Sequence, residues 1–174
     1  MPSSTHKTIS YVCGRIITLK PQSVLDIGVG FGKYGFLARE YAGGFPLPTE
    51  VRVPILVDGI EIYEPYIQLI HKLLYDTLYV GDATKLIKTL GVYDLILCVD
   101  MLEHLQKEIG ILFLKDVKQH SKVALIVLPT RPSRQVEAYG NEYERHVATW
   151  SVDELRGFGK VVSLKDKAFI LEME

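Results

Sequence analysis

Residues 24–32 read Val-Leu-Asp-Ile-Gly-Val-Gly-Phe-Gly. An apolar strand stops at an acidic residue and runs into a turn with glycine at alternate positions. A helix over residues 33–41 follows. Glycines put no Cβ in the way, so backbone here lies directly against a ligand. The turn feeds a helix N-terminus, where free N–H groups point outward. Asp26 then selects the ligand: a carboxylate beside the loop repels a pyrophosphate and suits a molecule carrying positive charge. Gly30, Gly32 and Gly35 also spell G-x-G-x-x-G, the dinucleotide fingerprint. That alternative leaves Asp26 unexplained and sets its glycines several residues beyond the strand.

The rest of the chain alternates between helical and strand periodicity. A leading helix over 5–19 carries Ile9, Val12, Cys13, Ile16 and Ile17 on one face, and Pro21 ends it. Strands are expected at 23–27, 55–62, 78–80, 93–99 and 122–128, with helices at 65–75, 84–90 and 108–120 between them. The strand at 93–99 is apolar on both faces, as parallel strands covered by helices are. Ser151 and Glu154 form a capping-box pattern for a last helix. Strands at 160–165 and 168–172, joined by a turn at Asp166-Lys167, close the chain as a hairpin. The pattern is α/β, a doubly wound, mostly parallel sheet. A length of 174 residues fits one domain, 1–174, with a leading helix in 1–20 and a core in 21–174.

A net charge of −1 gives no general electrostatic case for nucleic acid or an anionic membrane. No apolar run reaches membrane-spanning length, and the N-terminal residues lack signal-peptide architecture. Cys13 and Cys98 have no metal-type spacing and read as buried, reduced thiols, which points to the cytoplasm.

Ligands of open α/β sheets bind beyond the carboxyl ends of the strands. Asp26 and the glycines stand at the end of the first strand. The second ends in Asp58-Gly59-Ile60-Glu61-Ile62, where an acidic residue accepts ribose hydroxyls; Glu61 is the first choice and Asp58 the second. The third ends in Gly81-Asp82-Ala83 and the fourth in Asp100-Met101-Leu102.

The pattern D-x-G-x-G-x-G on Asp26, Gly28, Gly30 and Gly32 resembles the first motif of class I S-adenosylmethionine-dependent methyltransferases. The resemblance runs from Ser23 nearly to the end of the chain. It is nearest to the small-molecule-type enzymes with an Asp/Glu-x-x-Glu-His segment after strand four, here Asp100 to His104. It implies a Rossmann-like sheet of seven strands, mostly parallel with an antiparallel C-terminal strand and helices on both faces. It also implies S-adenosylmethionine, whose ammonium and sulfonium suit Asp26, as cofactor. In this family Asp82, with Ala83, meets the adenine, Asp100 and Met101 line the methionine end, and Glu61 with Ile62 lies at the ribose.

Methyl transfer from a sulfonium is an in-line displacement, so the protein mainly orients and desolvates. A base is needed only when the acceptor keeps a proton, as a hydroxyl does. His104 and His146, with Glu103, stand in loops on the cofactor side. The same residues with Asp100 form a candidate site for a divalent metal, since i, i+3, i+4 spacing clusters Asp100, Glu103 and His104. That set resembles the metal site of small-RNA 3′-end 2′-O-methyltransferases, with Asp100 in place of the first Glu; Glu103-His104 as a loop cap is the plainer reading. Arg131, Arg134 and Arg145 suit an anionic acceptor or a solvated loop. Tyr139, Tyr143 and Trp150 are candidate pocket walls, Trp150 rather a packing anchor.

The expected function is methyl transfer to a small molecule at oxygen. A silent cofactor-binding module that works with a partner and an NAD-binding enzyme are the alternatives. The base-amine run Asn/Asp-Pro-Pro-aromatic is absent after strand four. The acceptor is left to the N-terminal helix, residues 43–54 and residues 129–150, or to a second subunit in a homodimer.

Overall fold

The computed structural model describes residues 4, 6–43, 55–130, 135–137, 140–164 and 168–174. The chain opens with α1 (Ile9–Leu19), preceded by a 3-10 turn, His6–Thr8. It then runs through β1 (Ser23–Ile27), α2 (Lys33–Ala38), β2 (Leu56–Glu61), α3 (His71–Leu74), β3 (Thr77–Val80) and α4 (Ala83–Leu86). After β4 (Tyr93–Val99) come α5 (Lys107–Gln119), β5 (Ser121–Pro129), α6 (Val152–Arg156), β6 (Lys160–Leu164) and β7 (Ala168–Met173). The seven strands form one sheet in the order β3-β2-β1-β4-β5-β7-β6. β1 to β5 pair in parallel, and β7 runs antiparallel to both β5 and β6.

The expected α/β fold, Rossmann-like with an antiparallel C-terminal strand, is present. Its apolar runs explain why. Along β4, Leu95, Leu97 and Val99 face one layer while Ile96 and Cys98 face the other, and all five are buried. β5 repeats this with Leu125 and Val127 against Ala124, Ile126 and Leu128. One face packs on Val12 and Ile16 of α1 and on Tyr34 and Ala38 of α2. The other packs on Phe113, Leu114 and Val117 of α5 and on Leu155 of α6. Ser151 and Glu154 form the expected capping box at the start of α6. Cys13 and Cys98 are buried free thiols. No helix among the described residues is long and apolar enough to cross a membrane.

Several expected helices are shorter than their periodicity suggests; that over 84–90 gives way after Leu86 to a 3-10 turn, Ile87–Thr89. The helix over 33–41 stops at Ala38 and widens into a π turn, Arg39–Gly43. There the Arg39 guanidinium donates to the carbonyls of Leu74 and Ile55 and to Asp76. The helix over 65–75 is broken into a 3-10 turn, Glu64–Tyr66, and α3, with Ile67 extended between them. α3 follows a turn in which His71 Nδ1 accepts the Gln68 N–H at 2.9 Å. Leu69 and Leu73 are left exposed, so the apolar pattern of this stretch is not core-facing throughout. The loop at 44–54 and the turn at 166–167 lie outside the described residues.

Gly35 shows how tightly α2 seats on the sheet. A Cβ there would lie 2.4 Å from the Tyr75 ring, and Tyr75 is buried and hydrogen-bonded to Asp26. The ring has no room to swing aside. Gly35→Ala is expected to destabilise by about 1–3 kcal/mol in spite of alanine's better helix propensity. Urea unfolding checks this, and equal or greater stability of the variant would contradict the packing described.

Candidate active site

The order of the sheet reverses between β1 and β4, and crossovers leave from there toward opposite faces. A crevice therefore opens at the carboxyl ends of these strands. A cavity of about 370 Å³ occupies it. Its walls are drawn from the turn after β1, the end of β2, the β3–α4 and β4–α5 connections, and the segment after β5.

Most of the sequence-derived cofactor residues meet on this cavity. Gly28, Gly30, Glu61, Ile62, Asp82, Ala83, Asp100 and Met101 all line it. Gly28, Gly30 and Gly32 have φ of 79°, 52° and 81°, the left-handed region where glycine carries no Cβ penalty. Gly32 is in the packed layer behind: a Cβ there would meet Leu74 at 2.7 Å. Asp26 is also behind the wall. It is 2% exposed and does not line the cavity, and its carboxylate accepts the Tyr75 hydroxyl at 2.7 Å. Burial pushes its pKa up to about 6, against hydrogen bonds from Tyr75 and the Gly35 N–H that favour the anion.

Four of the turn's own amides are bonded internally. Gly28 and Val29 donate to the Ile60 carbonyl, Gly32 donates to Val29, and Gly30 donates to Glu61 Oε2 at 3.0 Å. Phosphate cradles present such amides to the ligand; here those of Gly28, Val29, Gly30 and Gly32 are spent within the protein. Between the two acidic residues offered by β2, the structure separates the roles. Asp58 accepts the Thr77 N–H and the Tyr93 hydroxyl inside the fold. Glu61 stands on the cavity wall, its Oε1 accepting the Tyr63 N–H. Asp82 caps α4 through the Thr84 N–H while facing the cavity.

The far wall holds Glu103, His104 and His146. One ligating atom from each falls within 4.8 Å of the others. Asp100 lines the same cavity but is not in that cluster. Glu103 is 2% exposed, its Oε2 has no hydrogen-bond partner among the described residues, and burial with the nearby Asp100 charge lifts its pKa to about 8. His104 Nδ1 lies 3.0 Å from the Arg145 carbonyl, which fixes that nitrogen as the donor and leaves Nε2 as the basic atom. Burial pushes the His104 pKa down, helped by the neighbouring His146, whose ring meets it edge-on at 4.8 Å.

Several wall residues carried no readable signal in the sequence. Lys33 and Tyr34 reach the cavity from the start of α2, where Lys33 holds the Ser4 carbonyl and the Tyr34 hydroxyl meets Thr8. Tyr66 donates to Glu144 Oε1 at 2.9 Å, and Gln135 donates to Glu144 Oε2, tying the β2–α3 connection to the segment after β5. Tyr143 lines the cavity; Trp150 is buried against α5, where a Cβ on Gly110 would meet its ring at 2.7 Å. Arg145 is exposed, does not line the cavity, and donates to the Val136 carbonyl. Arg131, Arg134 and Tyr139 lie outside the described residues.

No family model matches the chain, and no curated protein matches it in sequence. Solved structures do match. The N-terminal domain of EvdMO1, crystallised in the presence of SAH and D-fucose, superposes with a TM-score of 0.67 at 14% identity, covering 98% of this chain and 82% of that one. Magnesium protoporphyrin IX methyltransferase (ChlM) from Synechocystis PCC 6803, with bound SAH, gives 0.64 at 16% identity over 96% and 82%. A SAM-dependent methyltransferase from Archaeoglobus fulgidus gives 0.53 at 23% identity over 70% and 53%. The chain thus has the Rossmann-like fold of class I S-adenosylmethionine-dependent methyltransferases.

The buried carboxyl of Asp26 makes a pH prediction. Its pKa is about 6 in the folded protein and 3.8 as a free side chain, so the folded state holds the proton more tightly. Stability from this group is full below pH 4 and is lost as pH rises through 6, by about 3 kcal/mol. Asp26→Asn removes that term. Denaturant unfolding at pH 4.5 and pH 7.5 is expected to show a steeper fall for the wild type than for the variant; parallel slopes would contradict it.

Proposed function

We propose that the chain is an S-adenosylmethionine-dependent methyltransferase acting on a small-molecule acceptor at oxygen. The observation that carries the reading is one cavity, at the reversal of strand order, lined by Gly28, Gly30, Glu61, Asp82 and Asp100. The neighbours named above, two of them crystallised with SAH, support it. The spent amides of the glycine turn disfavour a dinucleotide pyrophosphate, which needs donors there.

The residues fit the cofactor by chemistry. Glu61 offers carboxylate oxygens to the ribose hydroxyls, Asp82 with Ala83 and Ile62 flanks the adenine, and Asp100 with Met101 meets the amino-acid end. Asp26, from behind, adds negative charge suited to an onium ligand. S-adenosylmethionine supplies an electrophilic methyl on a sulfonium, so the protein orients the acceptor and excludes water.

A hydroxyl acceptor must lose its proton, and His104 is the base: neutral, held by the Arg145 carbonyl, with Nε2 as its basic atom. His146 and Glu103 complete that wall. An anionic acceptor meets one described lysine there, Lys33, and the acidic Glu144 opposes it, which favours a neutral polyol or phenol. A divalent metal is the second reading, favoured by the orphaned Glu103 Oε2 beside two imidazoles. Zinc, manganese or iron accepts this donor set, and ligand distances of about 2 Å require the three side chains to draw together slightly. Glu103, His104 and His146 hold it in that reading, and it supplies Lewis acidity. The acceptor surface is that of a single chain or of a homodimer in the cytoplasm.

Calorimetric titration tests the cofactor. Micromolar binding of S-adenosylmethionine and its demethylated product is expected, with no binding of NAD, and Glu61→Ala weakens it by about tenfold or more. NAD binding without a response to the sulfonium compound would end this reading. Across a panel of sugars, phenols and carboxylates, His104→Ala is expected to cut turnover by about 10²-fold or more with cofactor affinity little changed. Elemental analysis of protein purified without chelators separates the metal reading from the metal-free base.

A further inference from the structure

Gly30 is the centre of the turn on which the cofactor rests, and both polar groups of that residue are held by side chains. Its N–H donates to Glu61 Oε2 at 3.0 Å. Its carbonyl lies 2.9 Å from His71 Nε2. His71 is 1% exposed and belongs to α3, some forty residues further along the chain. Its other nitrogen, Nδ1, accepts the Gln68 N–H at 2.9 Å, which makes Nε2 the protonated nitrogen and therefore a donor to Gly30. The ring stacks on Tyr75, 6.1 Å away and 13° from parallel, and Tyr75 in turn holds Asp26. Nδ1 also lies 3.2 Å from the Gln68 carbonyl, longer than its contact with the Gln68 N–H, and Nε2 faces the Gly30 carbonyl, to which it can only donate.

That carbonyl matters because of the backbone it sits on. Gly30 has φ of 52°, and an unrestrained glycine samples both signs of φ about equally. Rotation of the peptide after Gly30 would turn its carbonyl toward the cavity and displace the turn from the position that Glu61 also grips. We propose that His71 is a positioning residue for the cofactor site: its Nε2–H holds the Gly30 carbonyl away from the cavity and, together with Glu61, presets the turn for S-adenosylmethionine. This rests on the cofactor reading above. His71 does not line the cavity and touches no reacting group; it acts through Gly30.

Two variants separate this role from plain structural support. In His71→Asn the amide reaches the place of Nδ1, so the contact with Gln68 is kept and the contact with Gly30 is lost. In His71→Gln the longer side chain carries an N–H to the place of Nε2 and keeps the contact with Gly30. S-adenosylhomocysteine is the probe, titrated calorimetrically into wild type and both variants, with unfolding midpoints measured beside. The expected result is wild-type binding, affinity lowered about tenfold in H71N, and affinity within about threefold of wild type in H71Q, whichever variant has the lower midpoint.

Equal affinity of H71N and wild type overturns the role of His71, as does an affinity that merely tracks the midpoints. A wild-type chain that fails to bind overturns the cofactor reading and this proposal with it. Should H71N not fold, the imidazole ¹⁵N spectrum of the wild type decides: the Nε2–H tautomer, retained on adding S-adenosylhomocysteine, is expected, and the Nδ1–H tautomer overturns the proposal.

Discussion

The parallel pairing of β1 with β4 determines where chemistry can occur in this protein. Val24 to Ile27 lie beside Leu95 to Cys98, and these two strands form the buried centre of the sheet. The chain leaves β1 through α2 toward one face and leaves β4 through α5 toward the other. Their carboxyl ends are therefore uncovered side by side, and the turn after β1 and the segment after β4 become facing walls of one crevice. A charged or polar group at the end of either strand pays little for desolvation that a ligand does not later share. Further back, inside the sheet, such a group must find a protein partner, as Asp26 of β1 does in Tyr75 and Asp58 of β2 does in Tyr93.

The electrostatics of the crevice follow from that placement. The chain as a whole is nearly neutral, at −1, yet Asp26, Glu61 and Glu103 are all buried beside one cavity and all have carboxyl pKa values raised first by burial. Raised carboxyl values mark a site where negative charge is under-solvated, to the point that Glu103 keeps its proton at neutral pH. An onium ligand relieves that condition and a phosphate worsens it. The same reasoning makes the internally bonded amides of the glycine turn informative. With Gly28, Val29, Gly30 and Gly32 donating within the protein, the turn presents shape rather than a row of donors.

The strands and the glycine turn were legible in the sequence because burial on two faces writes continuous apolar runs, and because a sharp turn against a ligand demands glycine. Asp26, Glu61, Asp82 and Asp100 were recognisable as strand-end acids for the same reason. Which of them faces the cavity was not. Asp58 and Glu61 are three residues apart on one strand, and only the hydroxyl of Tyr93 and the N–H of Thr77 take Asp58 out of contention. The helix expected over 65–75 is broken where Ile67 is extended and where His71 holds the preceding turn at Gln68 and reaches back to Gly30, a contact across the fold that no local period encodes. Spacing placed Glu103 and His104 together correctly, but the i, i+3, i+4 argument assumed a helical turn beginning at Asp100. The helical turn there begins only at Leu102, and Asp100 takes a left-handed φ of 50° just before it.

The two halves of the crevice are built by different means. The wall assigned to the cofactor comes from strand ends, and its residues are tied to the sheet by short backbone hydrogen bonds, so a change there strains the core. The wall assigned to the acceptor comes from the β4–α5 connection and the segment after β5, joined by the Val147 and Ala148 N–H groups on the Glu103 carbonyl, and the Tyr66–Glu144 hydrogen bond ties that segment to the β2–α3 connection across the opening. The tie across the opening, Tyr66 to Glu144, is made side chain to side chain. Its residues can be exchanged for others of matching length and polarity without disturbing β1 or β4, whose packing involves none of them. The shape of the first wall is therefore set by the fold itself, whereas that of the second depends on a handful of side chains that cross from one loop to another.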